Sequence, residues 1–493
     1  MRYIAIDLGT TNIKAAIFDN NIQLLSQCSR RVSYIKHDDV VEFDALGYAA
    51  SVFELIRNAC AASKKAPAGE EYHMILTGQA ESLVVLGPDK TPLCPGISWL
   101  DMRSRAECAE LSRAFPKDAC FPVTGQPEII PTWPVTKILW LRRNRPDVFA
   151  KAFKYLLIKD YVVYCLTGLF AGEYSIYNFS HYFDIVHKRY WTDILRYCGV
   201  SADQLPKLYP PCHIAGTLYA DAARELNLPA DTKVNLGTLD HFAGMIGTGS
   251  FRESVVSASL GTVLSLAAVT DQRAFLQNTV PVHCGPLPDS YVYLPVCESG
   301  GISLHWFVDQ LGGGESLAEI DRQCALQPRA DHLIFLPYLT GANAPDYQLN
   351  ARGVFYGLSA AHNRYQMATA VMEGVACMIR RNIEHFGGDI GIRRIVVTGG
   401  GAKSDLWCRL IADVTGREIA VPADSEAACL GAAMIGAVCE GRYPDYKTAA
   451  DECVTMAKRF APGADSGGYY ERKYRLFEYT YSALQPVFSF DAG

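Results

Sequence analysis

At 493 residues the chain is longer than one hydrophobic core usually serves, so two domains of roughly 200–250 residues are expected. A composition of 49% hydrophobic and 20% charged residues is that of an ordinary globular protein, and a net charge of −6 with no basic stripe speaks against a nucleic-acid partner. The longest uncharged run, residues 254–270, has 17 positions, short of the ~20 needed to span a bilayer, and none of the 16 cysteines forms a C-x-x-C, which disfavours a zinc or dithiol centre. Met1-Arg2-Tyr3 leads straight into a strand-like segment, so a reduced cytoplasmic protein is the simplest expectation.

Strand-like and helix-like segments alternate through both halves, the sequence form of an α/β architecture. Residues 3–6 and 13–18 predict an opening hairpin, followed by a helix over Ala45–Ala62 and a strand near 73–76. Residues 100–170 read as mostly helical, with 135–143 and 148–166 the clearest helices. Asp240 opens a stretch containing Gly244, Gly247 and Gly249 that predicts a helix packed closely through small residues. In the second half, 366–386 predicts a long helix with Met367, Val371, Val375, Met378 and Ile379 on one face, ended by Gly387-Gly388. A strand at 394–397 leads into Gly399-Gly400-Gly401 and a helix over 404–414, and 445–493 reads as a closing helix plus a packing segment. A boundary near 250 divides the chain into 1–250 and 251–493.

One pattern occurs twice, 252 residues apart: Asp7-Leu8-Gly9-Thr10-Thr11 and Ser259-Leu260-Gly261-Thr262-Val263, each between two apolar strands. A glycine in such a turn lets backbone N–H groups approach an anion, so the two copies predict two related half-molecules that face a phosphate. They differ at one decisive position, where Asp7 is matched by Ser259. A single carboxylate there suits Mg²⁺, with Gly9, Thr10, Thr11 and Asn12 beside phosphate oxygens and Lys14 adding positive charge. Seen once, Asp7 is as readily an aspartate ending a strand at a tight hairpin; the second copy moves the balance to function. Gly261 and Thr262 are then expected on the other side of the same phosphates. Gly400 and Gly401, between a strand and a helix, predict an adenosine pocket, and Gly301 with His305 is a lesser signal of the same kind. Asp240 is the candidate for accepting a proton from an attacking hydroxyl, although taken alone an N-cap is the commoner role for such a residue.

These residues resemble the FGGY family of carbohydrate kinases over nearly the whole chain. One family signature maps to Pro134, Lys137, Ile138, Trp140, Leu141, Arg143 and Asn144, with Thr132 departing from it at the start; the other maps without mismatch to Gly353, Phe355, Gly357 and Leu358, then Gln366, Met367, Ala370, Val371, Met372 and Glu373. The stretch from Gly399 through Ala402, Ser404 and Asp405 to Trp407 is similar to the adenosine motif of xylulose kinases. The resemblance implies two actin-like (ribonuclease H-like) ATPase domains with a cleft between them. The N-terminal domain would bind the sugar and the C-terminal one the nucleotide, with ATP and Mg²⁺ as cofactors, Asp7 at the metal and Asp240 as general base. It also implies closure of the domains on the sugar, and a homodimer is common among such relatives.

By resemblance the sugar is held by Gln79, Ala80 and Glu81 and by Trp99, Asp101 and Arg103; on physical grounds Glu81 and Asp101 are acceptors suited to polyol hydroxyls, and either Trp99 or Trp133 is expected to pack on the carbon skeleton. Xylulose kinases usually carry Met-His where this chain has Ala80-Glu81, and glycerol kinases carry Arg-Glu. Thr132 stands where glycerol kinases place a tyrosine, and Gly341-Ala342 lacks the Glu-Arg that many relatives carry after that glycine. A ketopentose such as D-xylulose is the favoured substrate, with glycerol, another polyol or a sugar acid as the alternative. From other classes, a non-catalytic actin-like sensor of sugar and ATP is disfavoured because it needs no general base. A heat-shock-type chaperone is disfavoured because no β-rich domain is left after residue 440.

Overall fold

The computed structural model describes residues 1–63, 69–270, 280–287, 289–386, 390–424, 426–464 and 466–490, with positions 466 and 467 described for their backbone only. The chain divides into two compact units. The first comprises Met1–Gly249, Val282–Tyr291 and Glu426–Val454, and the second Ser250–Pro281, Val292–Ser425 and Thr455–Gly493.

In the first unit, Arg2–Leu8 and Asn12–Phe18 form an antiparallel hairpin, and Leu24–Arg31 extends it on the outer side. On the other side Tyr72–Gly78 pairs parallel to Arg2–Leu8, followed by Lys233–Asn235, again parallel, and Ile214–Thr217, antiparallel. Ile4, Ile6 and Leu8 alternate along the first strand and join Ile13, Ala15 and Ile17 in one buried cluster. The helix Ala45–Ala62 covers that face, its N-terminus capped by the Asp44 carboxylate, which accepts from Leu46 N–H at 3.0 Å. Tyr48, Val52, Leu55, Ile56 and Ala59 repeat at helical spacing and enter the same cluster, each large side chain contributing about 1.5–3 kcal/mol by leaving water.

The second unit repeats this topology. Val255–Leu260 and Leu264–Thr270 form an antiparallel hairpin, Arg394–Thr398 pairs parallel to the first of them, Glu418–Pro422 pairs parallel to that, and Met456–Phe460 closes the edge antiparallel. The register makes the duplication concrete. Asp7 lies opposite Lys14 and beside Thr77, while Ser259 lies opposite Ser265 and beside Thr398. The helix Arg364–Glu384 starts at Asn363, whose side chain accepts from Tyr365 N–H at 3.0 Å and Gln366 N–H at 3.1 Å.

Two expectations change. Residues 148–166 are not one helix: Pro146–Lys151 and Ile158–Thr167 are helical, but Lys154–Leu157 is a strand paired antiparallel to Leu83–Leu86. The tail holds more than a closing helix, because Met456–Phe460 is a strand between the helices Tyr446–Cys453 and Ser466–Ala483. Asp240 opens a helix as expected, Asp240–Thr248, with Leu239 at the cap position. The proposed stop at Gly387-Gly388 lies outside the described residues; the helix there ends at Glu384. Among the described residues, no helix is long and apolar enough to cross a membrane.

Candidate active site

In the first unit, the strand ending at Leu8 delivers Asp7, a buried side chain whose Oδ1 has no hydrogen-bond partner. Burial, and then the charge of Asp240, push its carboxyl up to about 7, with Lys14 working in the opposite direction. Lys14 itself is paired with Glu426 at 2.5 Å. Burial works against the Lys14 charge, but the Glu426 hydrogen bond and charge outweigh it and raise its pKa. Gly9 makes the turn by necessity, since a Cβ there would lie 2.7 Å from the Asn12 carbonyl oxygen. Thr10 is tied down on both sides: Trp99 Nε1 donates to its Oγ1 at 2.9 Å, and Tyr34 Oη donates to its carbonyl at 2.9 Å. Thr11 is exposed and Asn12 opens the second strand.

Asp240 is presented by a clamped segment. Lys159, fully buried, donates to the Leu236 carbonyl at 2.8 Å and to Glu173 at 2.6 Å. Glu173 in turn accepts from Ser175, whose Oγ receives Leu239 N–H at 2.9 Å and meets Thr238 Oγ1 at 2.9 Å. Gly237, at φ 56, has its Cα against the Leu76 carbonyl, where a Cβ would lie 1.9 Å from the oxygen. The helix then begins, and Asp240 Oδ1 accepts from His241 N–H at 2.6 Å. Burial raises the Asp240 carboxyl, while the His241 N–H and the Lys159 charge hold it down.

This helix packs on Ala427–Cys439 by mutual approach of glycines. A Cβ on Gly247 would lie 2.0 Å from the Ala427 carbonyl oxygen, and one on Gly431 would lie 1.8 Å from that of Ala243. The second helix begins directly after Glu426, so two carboxylates, Asp240 and Glu426, sit at the starts of paired helices. Glu426 was not among the sequence candidates. Its signal was present, an acid opening an apolar helix with glycines at 431 and 436, as Asp240 opens one with glycines at 244 and 247.

The sugar candidates form a knit set of loops in the same unit. Gln79 N–H donates to the Leu8 carbonyl at 3.1 Å, and its Oε1 accepts from Ser82 Oγ at 2.8 Å. Ser82 Oγ also accepts Trp99 N–H at 3.1 Å. Ala80 is buried, and Glu81 sits at φ 73 with Oε2 buried and unpartnered. Burial pushes Glu81 up to about 7, against the pull of Lys137 and a Thr132 hydrogen bond. Asp101 is fully buried and spent on the framework: it accepts from Val41 N–H at 2.7 Å and from Arg103, which also binds Glu42 at 2.7 Å. Trp133 is buried, caps the helix Pro134–Asn144 at its N-terminus, and faces the His181 ring at 4.8 Å. Lys137, part of the family signature but not among the sugar candidates, is completely buried and donates to the Ser98 carbonyl at 2.8 Å. Burial lowers it to about 8 although Glu81 and Asp101 pull the other way.

The nucleotide candidates lie in the second unit. Gly301 N–H donates to the Gly261 carbonyl at 2.7 Å and Ile302 N–H to that of Thr262 at 3.0 Å, which welds the second Leu-Gly-Thr turn to the start of the helix Ile302–Leu311. His305 is exposed on that helix. Gly399, at φ 85, and buried Gly401 pack on Leu260, whereas Gly400 is exposed with open space at its Cβ position. Ala402 is buried. Ser404 caps the helix Asp405–Thr415 through Trp407 N–H and donates to Asp321 at 2.5 Å; Asp405 pairs with Lys458 at 2.6 Å.

One buried histidine, His181, faces the candidate Trp133. His181 has no hydrogen-bond partner on either ring nitrogen and is pushed down to about 3 by burial. In the unfolded chain it titrates near 6.5, so between pH 6.5 and about 3 the unfolded state binds the extra proton. Its depressed pKa therefore stabilises the fold above pH 6.5 and loses that contribution as pH falls through this window. For His181→Asn, which tolerates the left-handed φ of 63, the loss of stability between pH 7 and pH 5 should be smaller than in the parent by about 2 kcal/mol. Denaturant unfolding at the two pH values checks this, and equal losses would mean His181 is already protonated or solvated.

Two sheets of the same topology, each with a glycine turn at the tip of its leading hairpin and one with a carboxylate before that turn, define a two-domain α/β ATPase of the actin-like class. The chain belongs to the FGGY family of carbohydrate kinases: the family's N-terminal domain matches residues 2–247 and its C-terminal domain residues 256–440. It is an ATP-dependent carbohydrate kinase. The xylulose kinase of Bacillus subtilis (strain 168) is 27% identical, covering 98% of this chain and 97% of that protein. The gluconokinase of the same strain is 25% identical over 96% of this chain and 94% of its own. Among solved structures, the xylulose kinase from Rhodospirillum rubrum superposes with a TM-score of 0.92 at 23% identity, covering 99% of this chain and 100% of that one.

Proposed function

We propose that the protein transfers the γ-phosphate of ATP to a hydroxyl of a neutral ketose, a ketopentose such as D-xylulose, with Asp240 as the proton acceptor. The observation that carries this is the charge around the acceptor residues of the first unit. Glu81, Asp7 and Asp240 are carboxylates, and the neighbouring cations face acids of the protein, Lys137 the charges of Glu81 and Asp101 and Arg103 the carboxylates of Asp101 and Glu42. Carboxylates accept hydrogen bonds from sugar hydroxyls, but a substrate carboxylate would meet like charge and an engaged guanidinium. The names of the relatives leave both substrate classes open, xylulose kinase at 27% and gluconokinase at 25% identity.

Asp240 needs only to sit within hydrogen-bond reach of the attacking hydroxyl, because phosphoryl transfer relies on positioning and charge stabilisation. The first unit carries the acceptor and proton-accepting groups, and the second carries the turn and glycines suited to the nucleotide. Mg²⁺ fits Asp7: its Oδ1 is buried and unpartnered, and its carboxyl is raised beside a second carboxylate, a condition that a cation relieves. When bound, the ion would offset phosphate charge.

Initial rates with ATP against D-xylulose, D-ribulose, gluconate and glycerol test the reading, with kcat/KM expected to be about 10²-fold or more higher for a ketopentose than for gluconate. A preference for gluconate would overturn the neutral-substrate argument. For Glu81→Gln, KM for the sugar should rise roughly tenfold with kcat changed little, the pattern of lost uniform binding. Unchanged KM would remove Glu81 from the substrate.

A further inference from the structure

A cavity of about 460 Å³ lies in the first unit, lined by none of the residues discussed as sugar- or nucleotide-binding. Four cations line it, Lys154, Lys188, Arg189 and Lys207, together with the rings of Phe170 and Tyr190. They come from separate places in the chain. Lys154 opens the strand Lys154–Leu157, Lys188 and Arg189 lie on the hairpin joining Phe183–Asp184 to Arg189–Tyr190, and Lys207 opens the strand Lys207–Tyr209. Lys188 holds a left-handed φ of 55 at the turn of that hairpin.

The positive charge is poorly compensated. Lys154 Nζ donates to the backbone carbonyls of Asp203 and Leu205 rather than to a carboxylate. Lys188 Nζ donates to Cys284 Sγ at 2.9 Å and stands 4.4 Å from the Tyr291 ring centre. Burial pushes the Cys284 thiol up to about 11, so it stays neutral and cancels no charge. Lys207 is exposed, over the Tyr209 ring. Arg189 comes only within 3.9 Å of Asp184, whose carboxylate is already taken by His187 Nδ1 at 2.7 Å and by the N–H groups of Val186 and His187. Asp203 is the one acidic residue of the lining.

We propose that this cavity is a binding site for a small phosphate-bearing molecule, its phosphate held by Arg189, Lys188 and Lys207 and its carbon frame lying against Phe170 and Tyr190. Lysine and arginine meet phosphate through charge-assisted hydrogen bonds, and the cavity has the volume of a small-metabolite site. It is also wired to the fold of the reaction site: Lys207–Tyr209 pairs parallel to Ala171–Glu173, and Glu173 is the carboxylate that holds Lys159 and Ser175 behind Asp240.

Calorimetric titration with pyrophosphate, without sugar or ATP, tests the site independently of the kinase reaction. The double variant Arg189→Ser, Lys207→Ser should bind roughly tenfold or more weaker than the parent, and parental affinity should fall as salt rises. Pyrophosphate seated instead against the Gly9–Thr11 turn would keep its affinity in the double variant, and that result overturns the proposal, as does no binding by the parent. A second measurement needs no variant. Pyridoxal 5′-phosphate condenses with a lysine amine to an imine and water, and borohydride traps the adduct for peptide mapping. Labelling of Lys188 or Lys207, suppressed by pyrophosphate, is the expected result; labelling only elsewhere, or labelling that pyrophosphate leaves unchanged, counts against the site.

Discussion

Asp240→Asn should lower kcat about 10²-fold or more while nucleotide affinity stays within about twofold. The amide has the shape of the carboxylate and keeps an oxygen to accept His241 N–H, so the helix start is preserved. It cannot take a proton from the attacking hydroxyl at neutral pH. The segment before it is held by Lys159, Glu173, Ser175 and the Thr77 hydroxyl on the Thr238 carbonyl, through hydrogen bonds made to groups other than the carboxylate of residue 240. Steady-state kinetics with the preferred sugar, together with calorimetry for an ATP analogue, separate the two effects. Near-native turnover would remove Asp240 from proton transfer, and lost nucleotide affinity with it would point to a structural role instead.

Gly431→Ala should destabilise the first unit by about 3 kcal/mol or more and reduce activity without touching substrate. The new methyl would stand 1.8 Å from the Ala243 carbonyl oxygen and 2.9 Å from Gly247 N, both backbone atoms with no rotamer to yield. The helices Asp240–Thr248 and Ala427–Cys439 must separate, and Asp240 rides on the first of them. Gly244→Ala is the control on the same helix: its Cβ position is open, and the helix gains roughly 1 kcal/mol of propensity. Thermal melts and kcat for the pair decide the matter. Equal behaviour of the two variants would mean that the close contact relaxes at little cost.

Much of the first unit was legible because its signals are local. The alternation Ile4, Ile6, Leu8 and the glycine at 9 specify strand and turn within ten residues, and the 3.6-residue spacing from Tyr48 to Ala59 specifies the helix over Ala45–Ala62. The segment 148–166 was not legible. Tyr155, Leu156 and Leu157 are all buried and form a run that fits a buried helix as well as a strand, and only pairing with Leu83–Leu86 decides between them. The strand Met456–Phe460 was missed for the opposite reason. Its five residues, three of them exposed, carry no apolar alternation, and their register comes from Glu418–Pro422.

Sequence alone determined the duplicated glycine turns, the carboxylate that distinguishes them and the acid that opens the helix at 240, since each is a short pattern whose chemistry follows from its own residues. Tertiary structure decided which charges are free to act. Asp101 and Arg103 neutralise each other in the framework, Lys14 is held by a carboxylate 412 positions away, and Asp7 is left with an oxygen that no protein group satisfies. Burial and pairing are properties of distant segments brought together, and the same aspartate is a framework brace or a reactive group according to what the fold sets beside it.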